Sequence, residues 1–100
     1  MMALIDEITL CAPELVDTYQ LKRLGLFGSV ARRQESIDSD IDMYVEFSEP
    51  FPETMPERYF GLINQISSQF NRPVQVLTPS MISNPVFQSS MERDLIFLYG

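Results

Sequence analysis

The sequence predicts an α/β domain in which three short strands alternate with helical segments. Three observations carry that reading. Apolar residues recur at helical spacing in the N-terminal segment, the apolar run Leu21 to Phe27 stops at Gly28, and apolar and polar residues alternate from Ile41 to Phe47.

Leu4, Ile8, Cys11 and Leu15 form one stripe with Asp6, Glu7, Glu14 and Asp17 on other faces, which predicts an amphipathic first helix. Pro13 marks either a kink in it or the start of a second turn. Leu21 to Phe27, apolar apart from Lys22, Arg23 and Gly25, fits a buried strand ended by a tight turn at Gly28. A short helix follows from about Ser29 to Arg33. Along the second strand Ile41, Met43, Val45 and Phe47 share one face, and Asp42, Tyr44 and Glu46 share the other.

Ser48 to Met55, holding Pro50 and Pro52, reads as a loop, and Pro56 suits the first turn of a helix whose stripe is Tyr59, Ile63, Ile66 and Phe70. Arg72-Pro73 ends that helix. Val74 to Leu77 makes a third strand bounded by Thr78-Pro79, and Asn84-Pro85 supplies the cap and first position of a last helix. Leu95 to Tyr99 is apolar without a period, so a terminal strand and a helix tail both fit.

A chain of 100 residues has room for one domain, 1–100, with one modest core and no second domain to shape a substrate pocket. The formal net charge of -7 argues against a sequence-independent grip on nucleic acid, which needs Lys and Arg to replace phosphate counterions. Cys11 is the sole cysteine and there is no His, which excludes an internal disulfide, a Cys/His zinc site and a His-based triad. No apolar run approaches the about 20 residues of a membrane span, and the acidic N-terminus does not resemble a signal peptide, so a cytoplasmic protein without membrane partners is expected.

The chemistry concentrates at Gly28-Ser29 and Asp40-Ile41-Asp42. A glycine where a strand hands over to a helix lets a phosphate approach the backbone, and the Ser29 hydroxyl can donate to it. Ten residues separate Ser29 from Asp40, and Asp42 follows in the pattern G-S-x10-D-x-D. Residues i and i+2 of a strand project from one face, so the carboxylates converge near the turn. Two such carboxylates with phosphate oxygens suit Mg²⁺, the arrangement of metal-assisted nucleotidyl transfer.

Leu26-Phe27-Gly28-Ser29-Val30-Ala31-Arg32 with Ser39-Asp40-Ile41-Asp42 resembles the signature of minimal nucleotidyltransferases of the DNA polymerase β superfamily. The ending Glu92 to Tyr99 is similar to that family's tail. The resemblance implies the nucleotidyltransferase fold, with a small mixed three-stranded sheet and helices packed on one side. It also implies an antitoxin of HEPN/MNT toxin-antitoxin pairs that transfers AMP from ATP to a tyrosine of a HEPN-type toxin. In that reading Gly28, Ser29 and Arg32 bind the nucleotide, Arg32 by bracing the turn or a carboxylate. Asp40 and Asp42 bind Mg²⁺ and are catalytic.

Two positions depart from the family pattern. Gln75 stands where the superfamily places a third carboxylate, and an amide offers a neutral oxygen and cannot take a proton at neutral pH. A catalytically reduced antitoxin that neutralises its partner by contact is therefore the alternative. Arg33 stands where many relatives have Gly, on an expected surface turn.

Competing readings of the same residues are blander. Asp38, Asp40, Asp42 and Glu49 also match the first, third, fifth and twelfth positions of a calcium loop, but the sixth position there needs Gly and here holds Met43. Met43, Met55, Met81 and Met91 with Phe51 and Phe87 could line a partner surface, while core filling accounts for at least half of them. Tyr44, Tyr59 and Tyr99 are candidate self-modification sites, for which structural roles are the simpler account. A third strand near a sheet edge leaves homo-oligomerisation open.

Overall fold

The computed structural model describes residues 2–48 and 52–100. Glu49, Pro50 and Phe51, assigned above to the loop, to the calcium-loop match and to the partner surface, lie outside the described residues. The elements run α1 (Leu4–Tyr19), β1 (Leu21–Phe27), α2 (Gly28–Ala31), β2 (Ile41–Phe47), α3 (Met55–Phe70), β3 (Val74–Leu77), α4 (Pro85–Asp94) and β4 (Ile96–Tyr99), with single 3-10 turns at Pro52–Thr54 and Pro79–Met81.

The fold is the expected α/β arrangement, with two additions to it. The mixed sheet has four strands in the order β3-β2-β1-β4, not three. β1 pairs antiparallel with β2 and β4, and β2 pairs parallel with β3. The segment that sequence left open is thus strand: α4 ends at Asp94, Leu95 alone turns the chain, and Ile96 to Tyr99 returns along β1. Nor do all helices share one side. α1 and α3 cover the face bearing Leu24, Leu26, Ile41, Met43 and Val45, all fully buried with Ile8, Leu15, Leu62 and Ile66. α4 lies across the opposite face, where Phe87 meets the Phe27 ring edge-on at 6.3 Å and Met91 is buried.

Gly25 explains how α4 and β4 come so close to that second face. A Cβ there would stand 2.8 Å from Leu95 Cδ1, so that the leucine would have to shift, and a tight 3.2 Å from the Ile96 carbonyl oxygen.

The helical stripes are rotated slightly from the sequence reading. In α1 the buried set is Leu4, Ile5, Ile8, Ala12 and Leu15, and Cys11 is half-buried beside the core, accepting from Gln69 Nε2 at 3.1 Å. The helix runs through Pro13 without a break and ends at Gln20 in the left-handed region. In α3 the stripe centres on Leu62 and Ile66, with Tyr59, Ile63 and Phe70 packed at its edges. Arg58 is also buried there: its guanidinium lies over the Phe47 ring at 5.2 Å and donates to the Tyr19 carbonyl and to Gln20 Oε1. Of the methionines weighed as partner surface, Met43 and Met91 are core and Met81 is half-exposed.

Arg33 adopts φ +58°, a left-handed conformation that disfavours any residue with a Cβ. It is held there by donating from both terminal nitrogens to Asp6 of α1, at 3.1 and 3.0 Å. This accounts physically for a position that suits glycine. Arg33→Ala, which keeps the strain and loses the ion pair, is expected to unfold at a lower temperature than Arg33→Gly, which relieves the strain; thermal denaturation monitored by circular dichroism checks that order.

Candidate functional site

Gly28 is where the whole site is decided. It leaves β1 with φ +72°, a conformation glycine takes without strain, and a Cβ added to it would collide with Asp42 Oδ2. The Asp42 carboxylate therefore lies directly against the turn backbone. Register explains this: Asp42 pairs with Phe27 across the β1–β2 ladder, so its side chain stands beside the residue that follows Phe27.

The helix after the turn is a single turn, Gly28–Ala31, too short for a sizeable macrodipole. Any anion seated here is held by the turn's own first amides, which have no intrahelical acceptors, and by the Ser29 hydroxyl.

Asp40 sits immediately before β2, exposed, and Asp42 is half-buried two residues on. Burial raises the Asp42 carboxyl above its ordinary value of 3.8, the nearby Asp40 charge raises it further, and Arg32 opposes both. The two acids are thus electrostatic neighbours, in a pocket of negative potential that a cation would relieve. Gln75 faces the same point. It is the register partner of Asp42 across the parallel β2–β3 pair and is exposed. Hard oxygen donors from Asp40, Asp42 and the Gln75 amide suit one divalent cation. Among the described residues no group of three His, Cys, Asp or Glu side chains converges.

Arg32 braces a carboxylate, one of the two roles expected of it. Its Nη1 donates to Asp94 Oδ2 at 2.5 Å and its Nε to Gln34 Oε1 at 3.1 Å, so the carboxylate it braces belongs to α4. It ties the turn to α4 while its charge acts on Asp42.

Sequence reading missed Arg72. Its Nη1 donates to the Ser36 carbonyl at 2.6 Å and the Ser39 carbonyl at 3.0 Å, and Ile41 N donates to the Pro73 carbonyl at 2.9 Å. The Ser36 amide donates to Ser39 Oγ at 2.8 Å, closing the loop on itself. These bonds pin the segment that delivers Asp40 to the start of β3. The only sequence signal was a cation just before a strand-initiating proline.

The calcium-loop alternative fails on geometry, because Ile41–Phe47 is continuous strand where that loop must turn. Two of the three tyrosines are engaged structurally: Tyr59 donates to the Val76 carbonyl at 2.7 Å, and Tyr44 donates to Glu46 Oε2 at 2.7 Å, while Tyr99 is exposed. Burial, reinforced by that bond to Glu46, pushes the Tyr44 hydroxyl up to about 12.

A sheet with a glycine turn, a facing carboxylate and a second acid one residue outside the strand defines a nucleotidyl-transfer type of fold, and comparison with known proteins agrees. Residues 12–100 match the family described as polymerase beta, nucleotidyltransferase. A candidate protein adenylyltransferase of Methanocaldococcus jannaschii is 38% identical over 84 residues, 84% of this chain and 83% of that protein. The structure of a candidate minimal nucleotidyltransferase superposes with a TM-score of 0.73 at 22% identity, covering 92% of this chain and 90% of the other. A toxin-antitoxin crystal structure with AMP-PNP superposes at 0.71 with 19% identity, covering 92% and 73%. The chain belongs to the polymerase beta nucleotidyltransferase family. Among the described residues no helix is long and apolar enough to cross a membrane.

Two outcomes follow from the site's physics. Ionised Asp42 is less favourable in the folded chain than in the unfolded one, so it removes stability as pH rises from 3.8 through its raised folded value, and that penalty is complete at neutrality. Asp42→Asn should therefore raise the melting temperature at pH 7, with the gain fading below pH 3.8, where both states hold the proton; melting curves across pH read this directly. Arg72→Met should speed amide hydrogen exchange in residues 36–40 about tenfold or more, the expected loss of charged-donor bonds, while α1 and α3 exchange as before.

Proposed function

We infer that this domain transfers AMP from ATP to a tyrosine of a HEPN-type toxin and thereby acts as its antitoxin. The observation that carries the reading is the Asp42 carboxylate seated against Gly28, which brings acid and phosphate turn to one point. The relatives named as candidate protein adenylyltransferases support a protein as acceptor. The fold shared with a toxin-antitoxin complex crystallised with AMP-PNP supports a toxin as that protein.

In this reading Gly28 and the amides after it cradle the triphosphate, and Ser29 donates its hydroxyl to a phosphate oxygen. Asp40 and Asp42 hold Mg²⁺, which when bound neutralises the phosphate charge and polarises the α-phosphorus. Gln75 contributes its amide oxygen. Arg32, anchored on Asp94, keeps α4 against the turn and offsets part of the local negative charge. The acceptor hydroxyl forms its bond to the α-phosphorus as the bond to pyrophosphate breaks, and its proton passes to water, since an amide at position 75 cannot take it. Exposed Asp40 and half-buried Asp42 leave the acids open to a docked protein.

Gln75 in register with Asp42 favours a second reading, a catalytically reduced antitoxin that blocks its toxin by contact. Here the acidic surface would complement a basic ribonuclease.

Labelled ATP, Mg²⁺ and the HEPN-type toxin separate the two. Label on the toxin that is lost in Asp42→Ala supports the enzyme, whereas a tight complex without label, unaffected by Asp42→Ala, supports the contact mechanism. Gln75→Asp should raise the transfer rate by about 10²-fold or more, the typical contribution of a positioned general base; an unchanged rate would show that position 75 does not limit the chemistry.

A further inference from the structure

Beyond the Gly28 turn, the same sheet face carries a cavity. Between β2, α4 and the Pro79–Met81 turn lies a space of about 420 Å³ walled by Tyr44, Pro79, Ile82, Met91, Leu95 and Phe97. Its size falls in the range that receives small ligands or side chains. Phe97 meets Tyr44 edge-on at 6.2 Å and carries the Arg23 guanidinium 5.4 Å above its ring, so the aromatic wall is held from both sides. None of Gly28, Ser29, Asp40 or Asp42 lines it.

Its position relative to the acids is set by register. Asp42 pairs with Phe27, next to the turn, and Tyr44 pairs with Gly25, further from it. Asp42 and Tyr44 are alternate residues of one strand, so both face this side, about 7 Å apart. The cavity therefore begins on the side of Asp42 away from Gly28-Ser29. In an in-line displacement the acceptor oxygen enters opposite the departing pyrophosphate, so with pyrophosphate at the turn the acceptor approaches from the cavity side. An extended acceptor chain also repeats its same-side residues about every 7 Å, which matches the distance from the acids to the cavity.

We propose that this cavity is a specificity pocket for the acceptor protein, taking an apolar side chain two residues from the residue that receives the nucleotide. The proposal rests on the protein-transfer reading above. The walls combine aromatic and aliphatic surface from Tyr44, Met91, Leu95 and Phe97, which accepts phenylalanine or leucine, with Arg23, Gln88 and Glu92, which meet the acceptor backbone.

The test uses two peptides with a single tyrosine, flanked two residues to either side by phenylalanine in one and alanine in the other. Each is titrated into the whole protein with a ¹³C-labelled Met91 methyl as reporter of the cavity, with and without AMP-PNP. The phenylalanine peptide is expected to shift the Met91 signal with at least tenfold higher affinity than the alanine peptide. Gln88→Trp, which fills the cavity from an exposed position of α4, should abolish that shift and leave AMP-PNP affinity within twofold. Equal affinity for both peptides, or no shift with either, overturns the proposal. A comparable shift with AMP-PNP alone also overturns it, by making the cavity a nucleobase site. Because occupancy is read without turnover, absence of label transfer would count against the activity, and the Met91 signal would still decide the pocket.

Discussion

The structure turns on one contact, a carboxylate laid against a glycine backbone. Gly28 must have positive φ to end β1 and must lack a Cβ to admit Asp42 Oδ2, and both demands fall on one residue. The rest of the fold serves that contact. The antiparallel β1–β2 register brings Asp42 beside Phe27, and the parallel β2–β3 register brings Gln75 beside Asp42. The fully buried residues on the other face of both central strands hold that register, since slipping by one would expose Leu24, Leu26, Ile41, Met43 and Val45 together.

The contact is electrostatically costly, and the surrounding residues limit the cost without removing it. Asp42 is partly desolvated beside Asp40, and Arg32, whose nearest partner is Asp94, offers only partial compensation. A cation placed between Asp40 and Asp42 would offset that repulsion. The Arg72 bonds to Ser36 and Ser39 matter for the same reason: they fix the segment that sets exposed Asp40 near the like charge of Asp42.

α4 links this site to the neighbouring cavity. Phe87 packs on Phe27 next to the turn, Asp94 holds Arg32, and Met91 and Leu95 wall the cavity beyond Tyr44. One helix on the open face thus touches both the Gly28 turn's neighbours and the cavity beyond Tyr44.

Much of this was written locally. The strand that ends at Gly28, the alternation of Ile41 to Phe47 and the Asn84 cap, whose Oδ1 accepts from the Val86 and Phe87 amides, depend on neighbours along the chain, so spacing and residue type suffice to read them. The G-S-x10-D-x-D pattern was legible for the same reason, although only Asp42 lies within the strand and Asp40 stands just before it. What only the tertiary structure decided depends on partners distant in sequence. An aperiodic apolar run becomes strand at Ile96 to Tyr99 because β1 has a free edge, and the carboxylate that Arg32 binds is Asp94, 62 residues away. Arg72 finds the carbonyls of a loop more than 30 residues earlier, and no local pattern records that. Local order follows from bonded geometry, whereas pairing across the sheet and between its faces is chosen by burial and charge only once the chain has closed.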